Sequence, residues 1–167
     1  MRVFIYTGTF IKDQDGVARA TYRLVKSMLD QGIKVMIAAP KATPQSRSGL
    51  SIHELPSLPC FFYKEYHFAI PNGRVIRLIK AFKPDIIHIA TPDMVGIQVL
   101  QFAKIAHIPV VSIHHTDFAD YLPYYHLGFL SEFAWNVLVK FYNFTERTFA
   151  PTEEFAHILE SRGAKHV

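Results

Sequence analysis

Four short stretches of the 167-residue chain gather residue types that hold anions and hydroxyl groups: TGTFIKDQDG at 7–16, TPDMVG at 91–96, HHTDFADY at 114–121 and PTEEF at 151–155. In the first, Gly16 stands where an amphipathic run begins. The unpaired N–H groups of a helix start would face outward there, and the positive end of the helix dipole would favour an anion such as a diphosphate. A side chain at that position would hold a phosphate away; the plainer alternative is that the glycine only eases a turn. In the third stretch, His114 and His115 are adjacent. On an extended strand they point to opposite faces, so one is expected in the core and the other in the crevice, and they do not chelate one metal. A neutral imidazole at a strand end can orient a hydroxyl or donate to a phosphate, and Thr116 and Asp117 add a hydroxyl and a carboxylate.

Several familiar chemistries are excluded by spacing. The opening loop has glycine only at Gly8 and Gly16, so neither the G-x-G-x-x-G dinucleotide fingerprint nor the G-x-x-x-x-G-K-S/T phosphate loop is present. Asp13-Gln14-Asp15 imitates a D-x-D metal motif, but no further acid cluster stands by to complete a shell. His88 lies inside the apolar run IIHIA and reads as a structural histidine bonded to backbone. A pair of carboxylates of the glycosidase kind is not evident.

The elements that must position these residues alternate between two periods. VFIY (3–6), KVMIAA (34–39), DIIHIA (85–90) and PVVSIH (109–114) are short β-branched runs of the kind buried on both faces of a sheet. Helical patterns span 17–29, 74–82, 94–106 and 153–162, the last opened by Thr152 as N-cap and closed by Gly163. Residues 121–148 read as one long helix or two shorter ones, and 40–51, PKATPQSRSGLS, as a mobile loop. The alternation predicts an α/β fold, a doubly wound parallel sheet. In such sheets ligands sit beyond the carboxyl ends of the strands, near the point where strand order reverses, which is where the four stretches fall.

Composition sets the outer limits. Half of the residues are hydrophobic, enough for a full core in one domain. The single Cys60 cannot form an internal disulfide, the opening MRVFIYTGTF lacks a secretory apolar stretch, and no apolar run is long enough to span a bilayer. These features suggest a cytosolic chain. The formal charge is only +4, yet Arg74, Arg77, Lys80 and Lys83 crowd one segment with no acid among them.

The segments DGVARATYRLVKSMLDQGIKVMIAAP, FKPDIIHIATPDMVG, IPVVSIHHTDF and APTEEFAHILESRG, in this order, resemble the amino-terminal domain of family 4 glycosyltransferases, retaining enzymes of the GT-B fold. The resemblance covers nearly the whole chain and is strongest to branches that glycosylate membrane lipids. It implies a Rossmann-like three-layer domain in which the backbone of Gly16 and Val17 approaches the diphosphate of a nucleotide sugar, UDP-glucose or GDP-mannose. It also implies that His115 lies at the reacting sugar, and that the acceptor rests near Thr9, Phe10, Thr91, Asp93, Thr116 and Asp117. Transfer would proceed by same-face attack with no assigned protein nucleophile, and no cofactor, metal or nucleic-acid partner is expected.

GT-B enzymes carry a second, carboxy-terminal domain with most of the donor contacts, and nothing here matches it. The chain therefore reads as the acceptor-side half of an enzyme, inactive alone, whose acceptor is a membrane lipid or a glycan. The alternative is a standalone nucleotide- or glycan-binding module, or a non-catalytic partner of a separate catalytic subunit. On the lipid reading, Arg74, Arg77, Lys80 and Lys83 would face an anionic membrane surface, each worth about 1 kcal/mol near such a leaflet; the plain reading is a solvated helix face.

Overall fold

A computed structural model describes residues 1–12, 14–60, 66–115 and 128–167. Six parallel strands form the main sheet: β1 (Arg2–Tyr6), β2 (Lys34–Ala39), β3 (Leu50–Glu54), β6 (Ile86–Ile89), β7 (Val110–Ile113) and β8 (Arg147–Phe149), in the order β3-β2-β1-β6-β7-β8. A two-stranded antiparallel hairpin, β4 (Ser57–Pro59) and β5 (His67–Ala69), is inserted after β3. The helices are α1 (Gly16–Asp30), α2 (Gly73–Phe82), α3 (Met94–Ile105), α4 (Ser131–Asn143) and α5 (Glu153–Ser161). The result is a Rossmann-like α/β domain.

The register explains why the strands are apolar throughout. Phe4 pairs with Met36 and Ile87, and these face a core completed by Val75, Ile79, Val99 and Trp135 from α2, α3 and α4. Val3 and Ile5 turn the other way, onto Val35, Ile37 and Val25 of α1. Because each strand alternates between two buried layers, a buried hydroxyl inside it needs a hydrogen-bond partner. Ser112, Thr145 and Thr148 meet that demand by hydrogen-bonding one another within 3.2 Å.

The chain leaves β1 toward β2 and β3, then crosses back to lay β6 against the other side of β1. Strand order reverses at that step, so the carboxyl ends of β1 and β6 bound a crevice.

Helix boundaries follow the sequence signals closely. Asp15 caps α1, accepting from Ala18 N at 2.7 Å, and Gly32 ends it with φ 74°. Thr152 caps α5 through Phe155 N, and Gly163 follows it with φ 99°. Two expectations need correction. The helical reading of 121–148 fails at its end: α4 stops at Asn143, and Arg147–Phe149 pairs with β7 as the edge strand, because Thr148 belongs to the buried hydroxyl cluster. The loop reading of 40–51 overruns β3, which begins at Leu50; the remainder is irregular but tied down by a Phe10–Ala42 bridge and an Arg47–Asp30 ion pair.

Candidate functional site

Two loops meet across the crevice, 7–15 after β1 and 90–93 after β6. Gly8 N donates to Thr91 Oγ1 at 2.7 Å, and a Cβ on Gly8 would come within 3.0 Å of that oxygen, so the small residue permits the junction. Behind it the Tyr6 hydroxyl, carried on β1, donates to Asp93 Oδ2 at 2.6 Å. The other carboxylate oxygen, Asp93 Oδ1, caps α3 by accepting from Val95 N and Gly96 N. Helix α3 starts close to the loop: a Cβ on Gly96 would lie 2.3 Å from Thr91 O, a distance no side chain tolerates. Thr9 Oγ1 donates to Gln14 Oε1 at 2.9 Å, closing the first loop on itself.

Gly16 is the first residue of α1 and is exposed, and a Cβ built on it would meet nothing within 4 Å. The space in front of the helix start is open. Val17 is half-buried beside it. Asp15, from the imitation metal motif, serves as the cap of α1; Asp13 lies outside the described residues, as do Thr116 and Asp117. Among the described residues no group of three or more His, Cys, Asp or Glu side chains is placed to hold a metal ion.

The two adjacent histidines divide as alternation requires. His114 is 1 % exposed, its Nδ1 sits 2.9 Å from the Tyr142 hydroxyl, and its ring lies against Trp135 and Phe155. His115 is half-buried on the crevice side, where burial and the neighbouring His114 lower its pKa while Asp15 pulls the other way. That places His115 within the electrostatic reach of the α1 cap. A neutral imidazole there keeps one donor and one acceptor nitrogen. His88 pairs in register with Ile5, on the α1 face, and burial together with His115 depresses its pKa to about 4. The expected hydrogen bond from His88 to backbone is not among the bonds of the described residues.

Other assigned positions are less open than their sequence suggests. Phe10 is wholly buried, stacked on Tyr22 with ring centroids 4.2 Å apart, and bonded through its backbone to Lys41 and Thr43. Its ring anchors the loop and is not available to a ligand. Thr9 is 3 % exposed, while Thr91 and Asp93 are half-buried with their side chains engaged as above. Arg74, Arg77, Lys80 and Lys83 are all exposed along α2, opposite the buried Val75 and Ile79, and Lys80 Nζ lies 5.7 Å from the Phe102 ring centre. The preceding hairpin presents Leu58 and Phe68 as an exposed cross-strand pair.

Two contributors were missed from sequence. Tyr6 sits in an apolar run that hides its hydroxyl, and only the crossing from β1 to β6 shows that it meets Asp93. Tyr66, just before β5, feels the carboxylates of both Asp15 and Asp93, and burial with those charges raises its pKa. Nothing local to Tyr66 signals this, since the hairpin is brought to the crevice by tertiary packing.

Residues 14–167 match the profile of Glycosyltransferase Family 4. The chain is similar to a GDP-mannose-dependent alpha-mannosyltransferase of Mycolicibacterium smegmatis, at 28 % identity over 91 % of this chain and 42 % of the relative. It is also similar to alpha-monoglucosyldiacylglycerol synthase of Streptococcus pneumoniae, at 30 % identity over 78 % of this chain and 30 % of the relative. A third relative is sulfoquinovosyl transferase SQD2 of Arabidopsis thaliana, 27 % identical over 85 % of this chain and 28 % of the relative. The chain thus spans less than half the length of these curated relatives.

Proposed function

This chain belongs to Glycosyltransferase Family 4, and from that premise we propose that it is the acceptor-side half of a hexosyltransferase using a nucleotide-diphosphate sugar. The observation that carries the reading is the open, exposed helix start at Gly16, beside a strand-end imidazole, at the point where strand order reverses. As the glycosidic bond breaks, the diphosphate leaving group gains negative charge. N–H groups at the start of α1 are fixed before the reaction begins and stabilise that charge without reorganising and without a metal ion. His115, neutral near pH 7, orients a hydroxyl of the reacting sugar, and transfer retains configuration by same-face attack. Donor contacts beyond the diphosphate come from a carboxy-terminal domain that this chain does not include.

One relative is named for a glucosyl-diacylglycerol product, and a lipid acceptor suits this surface. The hairpin with the exposed Leu58–Phe68 pair directly precedes α2 and its four cations in the chain, and charge together with exposed apolar side chains suits an anionic leaflet. No helix among the described residues is long and apolar enough to cross a membrane, so attachment is peripheral on this reading.

The test is transfer of radiolabelled hexose from UDP-glucose or GDP-mannose by the polypeptide that contains this chain together with a carboxy-terminal domain. Diacylglycerol, phosphatidylinositol and soluble glycans serve as acceptors, with a chelator present. Chelator-resistant transfer from one donor is expected. Donor binding without transfer to any acceptor class would favour a binding module instead.

A further inference from the structure

Beside α1 lies a hollow of about 220 Å³ that the reaction above does not use. One wall is α1, through Tyr22, Arg23, Lys26 and Leu29; the other is the loop before β3, through Gln45 and Arg47. Both walls are built rather than loose. Arg47 Nη2 is held by Asp30 Oδ1 at 2.5 Å, and Leu50 N bonds back to Arg47 O. Gly49, in the left-handed region at φ 81°, brings the turn so close that a Cβ there would lie 3.4 Å from Leu29 Cδ2. Val35 N closes the turn by donating to Gly49 O at 2.7 Å. At the other end Tyr22 is fixed by its stack on Phe10 and by donating its hydroxyl to Phe10 O at 3.3 Å.

Arg23, Lys26 and Arg47 thus line one hollow together with the apolar Tyr22, Val25 and Leu29. None of the residues that line it is acidic, and the nearby Asp30 is already engaged by Arg47. Gathering like charges raises the local potential, and an anion is the species that relieves it. Arg23 and Arg47 offer planar donor forks suited to phosphate oxygens, while Lys26 adds a point charge. Tyr22 and Leu29 leave room for an apolar portion beside the anion.

We propose that this hollow is a phosphoanion site whose occupancy stiffens the crevice loop. The mechanical link is short. An anion bridging Arg23, Lys26 and Arg47 reinforces the Arg47–Asp30 pair that already ties the loop before β3 to α1, and that loop is bonded to the Phe10 backbone at Lys41 and Thr43. Phe10 directly follows Thr9, whose hydroxyl holds Gln14 in the crevice loop.

The experiment titrates the protein with two probes at constant ionic strength: inorganic pyrophosphate, and monomeric dihexanoyl phosphatidate, which carries the same phosphate chemistry on a lipid. It is run in a Gly16→Val background, so that the start of α1 does not compete. Calorimetry measures affinity and amide chemical shifts report on Gly8 and Thr9. Saturable binding of pyrophosphate identifies a free phosphoanion as the occupant; binding of phosphatidate alone identifies a headgroup. Either binding should weaken by about tenfold or more in the Arg23→Ala, Lys26→Ala double variant, the loss expected for two charge-assisted contacts. The Gly8 and Thr9 amides should shift in parallel with occupancy. The proposal is overturned if neither probe saturates, if binding survives the double variant unchanged, or if the crevice amides do not respond. Melting of the double variant in the absence of anion should match or exceed the parent, which separates a lost site from a lost fold.

Discussion

The Tyr6 hydroxyl donates to Asp93 Oδ2 at 2.6 Å, joining the strand on one side of the crevice to the helix cap on the other. The two residues are 87 positions apart, and their bond holds the β1 and β6 ends in one arrangement. Burial, then the charge of Asp93, pushes the Tyr6 phenol far above its ordinary range, so it remains a donor at every working pH. Tyr6→Phe should therefore cost about 1.5 to 3 kcal/mol, the range for a hydrogen bond to a charged group. Urea denaturation of parent and variant measures it. A loss below about 0.5 kcal/mol would show that the carboxylate finds another partner.

Gly16→Val should leave the fold intact, because the new side chain begins in open space. It should weaken the binding of the donor diphosphate and lower turnover strongly in the polypeptide that carries both domains. Steady-state kinetics alongside thermal melting decide the matter. Unchanged kinetics in a folded variant would remove Gly16 from the donor site.

His114→Ala and His115→Ala should separate. The first empties a space packed by Trp135, Tyr142 and Phe155 and should cost about 2 kcal/mol or more of stability. The second should cut turnover by about 100-fold or more while melting changes little, as expected for a group that positions the reacting sugar. Donor titration should be nearly unaffected by His115→Ala. Equal turnover losses with equal melting would reject this division.

Charge reversal on α2, Arg77→Glu with Lys80→Glu, should reduce co-sedimentation with anionic vesicles. High salt should weaken the parent in the same direction, since screening acts over about 8 to 10 Å near physiological ionic strength. Melting should fall by no more than about 1 kcal/mol, part of it from the contact between Lys80 and Phe102. If the parent binds neutral and anionic vesicles equally, α2 is only a solvated face.

His88 makes stability depend on pH with a defined sign. Its pKa falls from 6.5 to about 4 in the folded chain, chiefly by burial. Above pH 6.5 the ring is neutral in both states and its contribution is fully present. As pH falls toward 4 the unfolded chain takes up the proton and the folded chain resists it, so stability is lost. The full loss is on the order of 3 kcal/mol. His115, whose pKa is lowered too, adds in the same direction. His88→Leu should flatten the slope between pH 6.5 and 4, read from denaturant midpoints. An unchanged slope would mean that His88 is not the group responsible.

Much of this protein follows from short-range pattern. The β-branched runs at 3–6 and 34–39, the helix signals at Thr152, Gly32 and Gly163, and the opposite facing of His114 and His115 depend on periodicity and on residues a few positions apart, so they are legible along the chain. The four edges at which chemistry was sought were legible for the same reason: a parallel sheet places every strand's carboxyl end on one side.

Tertiary structure decided what short range cannot. The hydroxyl of Tyr6 reads as part of a core strand until β6 returns beside β1 and supplies Asp93. Phe10 is expected beside the acceptor until Tyr22, twelve residues on, stacks over its ring and buries it. Residues 147 and 148 read as the end of a helix because their pattern suits either form; the buried partners Ser112 and Thr145 of Thr148 select the strand. In each case the deciding term is burial of a polar or aromatic group against a distant partner, a free energy that only the assembled fold contains.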